Sequence, residues 1–430
     1  MRICVVGLGK IGLPLAVQYA SKGHDVVGVD VQRSVVDQVN AGTEPFPGEA
    51  DLARLLAEAV AAGHLTATTS HADAVRTAEV VVMVVPVYVD EATAKPDFGW
   101  MDAATVEVAK ALTPGTLVAY ETTLPVGTTR HRWQPMIAQH SGLAAGAVEI
   151  VFSPERVLTG RVFADLRKYP KLIGALTERG AARATEFYEA VLDFDPRPDL
   201  PRDNGVWDLG SAEAAELAKL AETTYRDVNI GLANQFARFA ATAGIDIYAV
   251  IEASNSQPYS HIHRPGIAVG GHCIPVYPRL YLSTDPDATI VSAAREANAQ
   301  MPAYAVGLLH GALGSLEGQQ VVVLGASYRG GVKETAFSGV FATVDELVRA
   351  GASVRVHDPM YSGDELRALG FEPYTPGEPA DAAILQADHR EYLDWGLEQI
   401  PGVRVLVDGR NLTDPGRWSG VRHLVIGRPA

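Results

Sequence analysis

The hexapeptide Gly7-Leu8-Gly9-Lys10-Ile11-Gly12 limits what this chain can fold into more than any other stretch. It follows a short apolar run, Ile3–Gly7, and opens a helical pattern, Leu13–Ala20. A second strand pattern, Asp25–Asp30, ends in an acid eighteen residues beyond Gly12. A G-x-G-x-x-G turn alone says little. Set between a strand and a helix, with an acid closing the next strand, it predicts a βαβ unit that binds a dinucleotide. Gly7 allows the tight turn, Gly9 lets backbone approach a pyrophosphate, and Gly12 lets helix and strand pack closely. The helix N-terminus adds amides and a partial positive charge. Asp30 is placed to accept from the ribose hydroxyls and to repel a 2′-phosphate, which favours NAD over NADP. Lys10, Ile11, Arg33 and Pro86 complete this set of cofactor candidates.

The first third continues in the same texture. Candidate strands at Val80–Val85, Leu117–Glu121, Val148–Phe152 and Lys171–Gly174 alternate with helical patterns at Leu52–Ala62 and Met101–Leu112. Alternation of this kind predicts a parallel sheet covered on both faces. After the Asp- and Pro-rich stretch Asp193–Asp203, the run Ser211–Ala243 holds no proline and one glycine, with apolar residues at helical spacing. It predicts one long connecting helix, followed by a helix at Ile247–Ala253 and a loop at Asn255–Pro278. The last third returns to strands: Val321–Gly325, Gly351–Asp358, and near Ala382–Leu385, Val403–Val407 and His423–Ile426. A helix is expected at Thr343–Ala350. Here Gly325-Ala326-Ser327-Tyr328 lacks the second and third fingerprint glycines. The expected architecture is α/β: a Rossmann-type domain over 1–200, a helical middle over 201–300, and a Rossmann-like domain over 301–430.

Of two cysteines, Cys4 lies inside the first strand, where a buried structural role is expected, and Cys273 lies in the loop Gly270-Gly271-His272-Cys273-Ile274-Pro275. Two glycines before a lone thiol allow close approach of a ligand, and a reactive thiol fits an irregular loop better than a strand. So few cysteines are no disulfide framework, and a reducing cytoplasm is expected. The formal net charge of −15 argues against a nucleic-acid partner. No apolar run approaches the roughly 20 residues of a membrane span. The chain opens directly in a strand pattern, so no signal peptide is expected. Nothing calls for a metal.

The chain resembles the UDP-glucose/GDP-mannose dehydrogenase family over nearly its whole length. The motifs, in order, are Gly7–Gly12, Lys95-Pro96-Asp97, Glu121-Thr122-Thr123-Leu124-Pro125-Val126-Gly127-Thr128-Thr129, Ser153-Pro154-Glu155-Arg156-Val157-Leu158, Ala215-Glu216-Leu217-Ala218-Lys219 with Tyr225-Arg226-Asp227-Val228-Asn229, Pro265-Gly266 through Pro275, Ala294-Arg295-Glu296-Ala297-Asn298 and Asp408-Gly409-Arg410-Asn411. The Ser-Pro-Glu-Arg-Val-Leu and Gly-Gly-His-Cys-Ile-Pro forms look most like the branch that oxidises UDP-N-acetylhexosamines such as UDP-N-acetylmannosamine. The resemblance implies a two-step NAD-dependent oxidation at C6 of a nucleotide sugar, a UDP-sugar before a GDP-sugar, through a thiohemiacetal and thioester on Cys273. It implies that Lys219 steadies an oxyanion and that Thr123 and Glu155 place water or move protons near cofactor and sugar. Arg156, Leu158, Tyr259 and Gly270 fall at substrate-contact positions, and Arg410 at one that meets the nucleotide. The active site is expected between the outer domains, the assembly is a homodimer through the central helices, and the setting is polysaccharide or glycoconjugate biosynthesis.

Four positions depart from the family. Tyr277 stands where the family has an Asp four residues after the cysteine, and Thr223 where it has an Asn four residues after the lysine. Tyr259 and Ala336 stand where arginines are expected. With an ordinary pKa of about 10 against about 4, tyrosine is neutral at pH 7 and activates no water as a carboxylate does. Thioester hydrolysis is the step most exposed to that change. Three outcomes stay open at this point: full oxidation to the acid, a two-electron or redox-neutral NAD-assisted reaction, and a pseudoenzyme that binds nucleotide sugar without turning it over.

Overall fold

The computed structural model of the chain describes residues 1–90, 93 and 95–429. It divides into two compact units, Met1–Glu222 with Arg279–Thr284, and Thr223–Pro278 with Asp285–Ala430.

The first unit is built on one eight-stranded sheet: β1 (Arg2–Val6), β2 (Asp25–Val29), β3 (Leu65–Thr68), β4 (Val80–Met83), β5 (Leu117–Tyr120), β6 (Glu149–Phe152), β7 (Lys171–Ala175) and β8 (Val206–Asp208). The spatial order is β8-β7-β6-β5-β4-β1-β2-β3. Alternate residues of β1 serve opposite faces, Ile3 and Val5 joining one apolar cluster and Cys4 and Val6 another. A strand buried on both faces needs an unbroken apolar run, which is why Ile3–Val6 carries no polar residue. Burial also pushes the Cys4 thiol up to about 12, so it stays protonated and structural, as expected.

Chain order reverses between β1 and β4, and that switch opens a crevice at the carboxyl ends of the strands. The sheet is not parallel throughout, contrary to the sequence reading. β6 and β7 run antiparallel, with Val151 opposite Ala175 and Phe152 opposite Gly174. The reversal carries Lys171, the first residue of β7, to the edge where β4, β5 and β6 end. Two strands of this sheet carry no clear strand pattern in the sequence. β3 alternates Leu and Ala with threonines, and β8 is a three-residue edge strand beside an Asp-rich stretch, so neither makes an apolar run.

The second unit carries five parallel strands: β9 (Gln320–Leu324), β10 (Ser353–His357), β11 (Ala382–Leu385), β12 (Val405–Asp408) and β13 (Arg422–Val425). Their order, β10-β9-β11-β12-β13, places a second switch between β9 and β11. The helix Ala212–Ala243 begins in the first unit and ends in the second, 32 residues without a break. Its single glycine, Gly231, lets the helix Thr289–Ala299 approach closely, since a Cβ there would meet Ala294 at 3.1 Å. Arg295 and Asn298 from that helix bind buried Asp227 at 2.7 and 2.8 Å and fix the pair. No described helix is long and apolar enough to cross a membrane.

In the first turns of the long helix, Glu216 is fully buried and accepts hydrogen bonds from Gly127 N (2.5 Å), Thr129 N (2.9 Å) and Thr129 Oγ1 (2.7 Å). Burial pushes its carboxyl up to about 7, although those bonds pull the other way. Between its ordinary value of 4.5 and about 7 the folded chain therefore holds a proton that the unfolded chain has released. The stabilisation this proton gives is lost as pH rises through that window. Melting curves of wild type and Glu216→Gln at about pH 5 and pH 8 read this directly. The wild type should lose ground to the variant at the higher pH, and a difference independent of pH would sink the assignment.

Candidate functional site

At the first switch point, backbone geometry fits a dinucleotide. Gly7 has φ +94°, and a Cβ there would press on the Val84 carbonyl at 3.2 Å. A Cβ on Gly12 would stand 1.8 Å from the Gly7 oxygen, so the helix Gly12–Ser21 can start there only as glycine. A Cβ on Gly9 would meet nothing within 4 Å, which leaves open space beside the helix N-terminus. Asp30 accepts from Leu8 N at 3.0 Å and Gln32 N at 2.8 Å. It thus braces the glycine turn from the end of β2 while staying partly exposed. Lys10, Arg33 and Pro86 are exposed around this crevice, and Ile11 packs against the core. Thr122 donates to Val85 O at 2.7 Å, which sets the neighbouring Thr123, 5% exposed, at the same strand edge.

Beside that crevice lies a charged cluster that the sequence reading found only in part. Glu155, in the irregular segment after β6, caps no helix. Its Oε1 accepts from Arg156 N at 2.7 Å and its Oε2 lies 2.9 Å from Lys171 Nζ. Lys171, 4% exposed, also meets Glu121 Oε2 at 2.8 Å. Glu121 Oε1 takes the hydroxyls of Tyr188 (2.7 Å) and Tyr19 (3.3 Å). Burial raises Glu121 above the ordinary carboxylate range. For Lys171, burial works to lower the ammonium, but Glu121 and Glu155 more than offset it and the net shift is upward. Lys219 on the long helix is no solvated lysine. Its side chain is 8% exposed and its Nζ lies 3.2 Å from Glu222 Oε1, whose other oxygen binds Arg156 Nε at 3.0 Å. Leu158 is exposed nearby in sequence, its amide donating to Asp165 at 3.1 Å. In the sequence Glu121 stands out only as part of a motif, and Lys171 only as the start of a strand. An ionisable residue opening an apolar strand is the one signal that would have marked it.

In the second unit, Cys273 is half-buried and unpaired. Tyr277 N donates to Cys273 O at 2.9 Å, so the cysteine stands one turn before the short helix Tyr277–Leu282. The two glycines before it serve the chain's own packing. A Cβ on Gly270 would stand 2.5 Å from Tyr328 Cβ, while Gly271 has φ +90°, packs on the Tyr328 ring and donates to Ala336 O at 2.8 Å. On that face the close approach they allow is made by Tyr328 and Phe337. His272 lies 3.4 Å from Glu334. Thr223 is 6% exposed, and Tyr259 is 93% exposed.

At the second switch point, Arg410 follows β12. Its Nε donates to Gln386 O at 2.8 Å, and Gly266 lies so close that a Cβ would meet its guanidinium at 2.9 Å. The turn is built by Asp408, which accepts from the amides of Arg410, Leu412 and Thr413. Burial lowers Arg410 below the ordinary guanidinium value despite Asp388 nearby. The acid that closes the second strand here, Asp358, is spent internally. It accepts from the amides of Ala326 and Ser327 at 2.9 Å and lies 3.1 Å from buried His389. Fully buried, it has no access to a ribose, consistent with the incomplete fingerprint.

A doubly wound sheet with a glycine cradle at one switch point, and a second parallel sheet with a buried arginine at its own, define an NAD-dependent oxidoreductase with a separate nucleotide-binding sheet. The sequence matches the UDP-glucose/GDP-mannose dehydrogenase family in its NAD binding domain over residues 1–192, its central domain over 213–300 and its UDP binding domain over 322–415. It is 35% identical to the UDP-N-acetyl-D-mannosamine dehydrogenase of Pyrococcus horikoshii over 425 residues, 96% of each chain. It is 31% identical to that of Methanocaldococcus jannaschii, covering 99% of this chain and 96% of the relative. The solved structure of the Pyrococcus horikoshii UDP-D-ManNAc dehydrogenase superposes with a TM-score of 0.87 at 32% identity, covering 100% of this chain and 99% of that one. The chain belongs to the UDP-glucose/GDP-mannose dehydrogenase family. It is an NAD-dependent oxidoreductase acting on a nucleotide sugar, and the two-electron, redox-neutral and non-catalytic readings are not favoured.

The cradle geometry carries a direct expectation. Gly12→Ala puts a methyl group against the Gly7 carbonyl and should weaken NAD binding at least about tenfold, or ~1.4 kcal/mol, by calorimetric titration. Unchanged affinity in a variant that melts normally would count against this crevice as the cofactor site.

Proposed function

We propose that this chain oxidises C6 of a UDP-linked N-acetylhexosamine, with UDP-N-acetylmannosamine the first candidate, to the uronic acid. The observation that carries the reading is end-to-end likeness to UDP-N-acetyl-D-mannosamine dehydrogenases in a chain that keeps a half-buried, unpaired Cys273. NAD, when bound, takes up the hydride released from C6 in each of the two oxidations. Thr123 helps place a water, and the Glu155 carboxylate accepts the proton of the C6 hydroxyl through it as the aldehyde forms. The Cys273 thiolate adds to the aldehyde carbon, forming the C–S bond, and the Lys219 ammonium steadies the oxyanion that results. Loss of the second hydride leaves a thioester. Water adds to its carbonyl, the C–S bond breaks, sulfur leaves as thiolate, and the product departs as carboxylate.

Tyr277 supplies no base for that last step, so the water activated by Glu155 carries it, with Tyr277 and Thr223 as hydrogen-bonding neighbours of the reacting group. Arg410, desolvated at the second switch point, fits a nucleotide phosphate. Arg156, Leu158, Gly270 and Tyr259 complete the substrate contacts. Exposed Tyr225, Leu232, Phe236 and Phe239 recur at heptad-like spacing along the long helix, which supports a homodimer through it. Two unpaired cysteines fit a reducing, cytoplasmic setting. The proposed domain limits are 1–200, 201–300 and 301–430.

Purified protein incubated with NAD and a panel of UDP- and GDP-sugars tests the reading. Two NADH and one uronate should appear per UDP-N-acetylhexosamine consumed. One NADH with an accumulating aldehyde, or a changed sugar with no net NADH, would overturn it. Cys273→Ser should abolish acid formation, and undiminished acid output would remove the covalent step.

A further inference from the structure

Building on the proposed role of Glu155, we infer that Lys171 is a positioning residue of the reaction, holding the Glu155 carboxylate in one orientation. The argument is geometric. Glu155 has both oxygens committed, Oε1 to the Arg156 amide at 2.7 Å and Oε2 to Lys171 Nζ at 2.9 Å. The amide is fixed by the chain, so Lys171 is the one side chain that sets the rotation of the carboxylate. Lys171 is itself held. It is 4% exposed, meets Glu121 Oε2 at 2.8 Å, and lies 4.8 Å from the centre of the Tyr188 ring. Tyr19 and Tyr188 fix Glu121 from the helices Gly12–Ser21 and Glu178–Val191. A buried cation anchored on one carboxylate thus presents its charge to a second, more exposed one.

This cluster has two acids to one base. With both glutamates ionised it carries a buried negative charge, which is costly in a low-dielectric interior. Burial raises Glu121 above the ordinary carboxylate range while Lys171 works to lower it, and the one ammonium bridges both acids. Arg156 does not take over that task, because its guanidinium is spent on Glu222 and Pro170 O. Lys171, Glu121, Tyr188 and Tyr19 lie around the Glu155 carboxylate, and Lys171 is the cation that binds it.

Lys171→Met keeps the length and removes the charge. It should lower kcat about tenfold or more while KM for NAD stays within about twofold, and should move the acidic limb of the kcat profile up by about one pH unit, because two carboxylates left without the cation share a proton. Lys171→Arg should restore the limb. If Lys171→Met folds poorly, Lys171→Met with Glu121→Gln removes both buried charges together and keeps an acceptor for the Tyr19 and Tyr188 hydroxyls. A soluble variant with wild-type kcat and pH profile would overturn the inference. A crystal structure of the variant decides it without turnover: Glu155 should leave its place, and a carboxylate unmoved would refute the positioning role. Failure of the parent reading looks different, since the wild type would then turn over no nucleotide sugar.

Discussion

The first unit depends on one constraint: its central strands are buried on both faces, so they tolerate almost no polar side chain. Chemistry is driven to the strand ends. Tyr120 and Phe152 are the last apolar residues of β5 and β6, and polar groups begin just beyond them, at Glu121, Thr122, Thr123, Ser153 and Glu155. The antiparallel turn into β7 adds Lys171 to that edge from the opposite chain direction. Ser153 Oγ donates to Leu172 O at 2.8 Å and locks the end of β6 to the start of β7, so the lysine and Glu155 are set by one register.

The two sheets show how far the same topology can diverge in use. Each has an acid after its second strand, Asp30 or Asp358, bracing the loop after its first. Asp30 meets backbone amides and keeps an open side, whereas Asp358 is sealed by His389 and the following turn. Hydrogen bonds from His389, Ser327 and Met360 outweigh burial, which alone would raise Asp358, and hold it below the usual carboxylate range. One acid is left available to a ligand, and the other has become part of the framework.

Much of this was legible in the residues. The fingerprint, the long helix and most strands follow from periodicity and glycine placement, because those are local signals. Cys273 stood out for the same reason. Lys171 did not, because its meaning arises only when β7 runs against β6, and no local pattern encodes strand direction. The glycines at 270 and 271 suggest close approach, but sequence alone does not say what approaches. Their neighbour is Tyr328, more than fifty residues away in the chain. The charges of Glu121 and Lys219 were visible, yet their burial and partners depend on tertiary packing.

That packing of the cysteine loop on Tyr328, Ala336 and Phe337 bears on how such chains can be recombined. The cysteine loop is moulded by the C-terminal sheet's own surface, so the two form one heritable block. A chimera joined after residue 300 would seat one parent's thiol on another parent's scaffold. A crossover ahead of Thr223 would transfer loop, sheet and Arg410 together and leave their mutual fit intact.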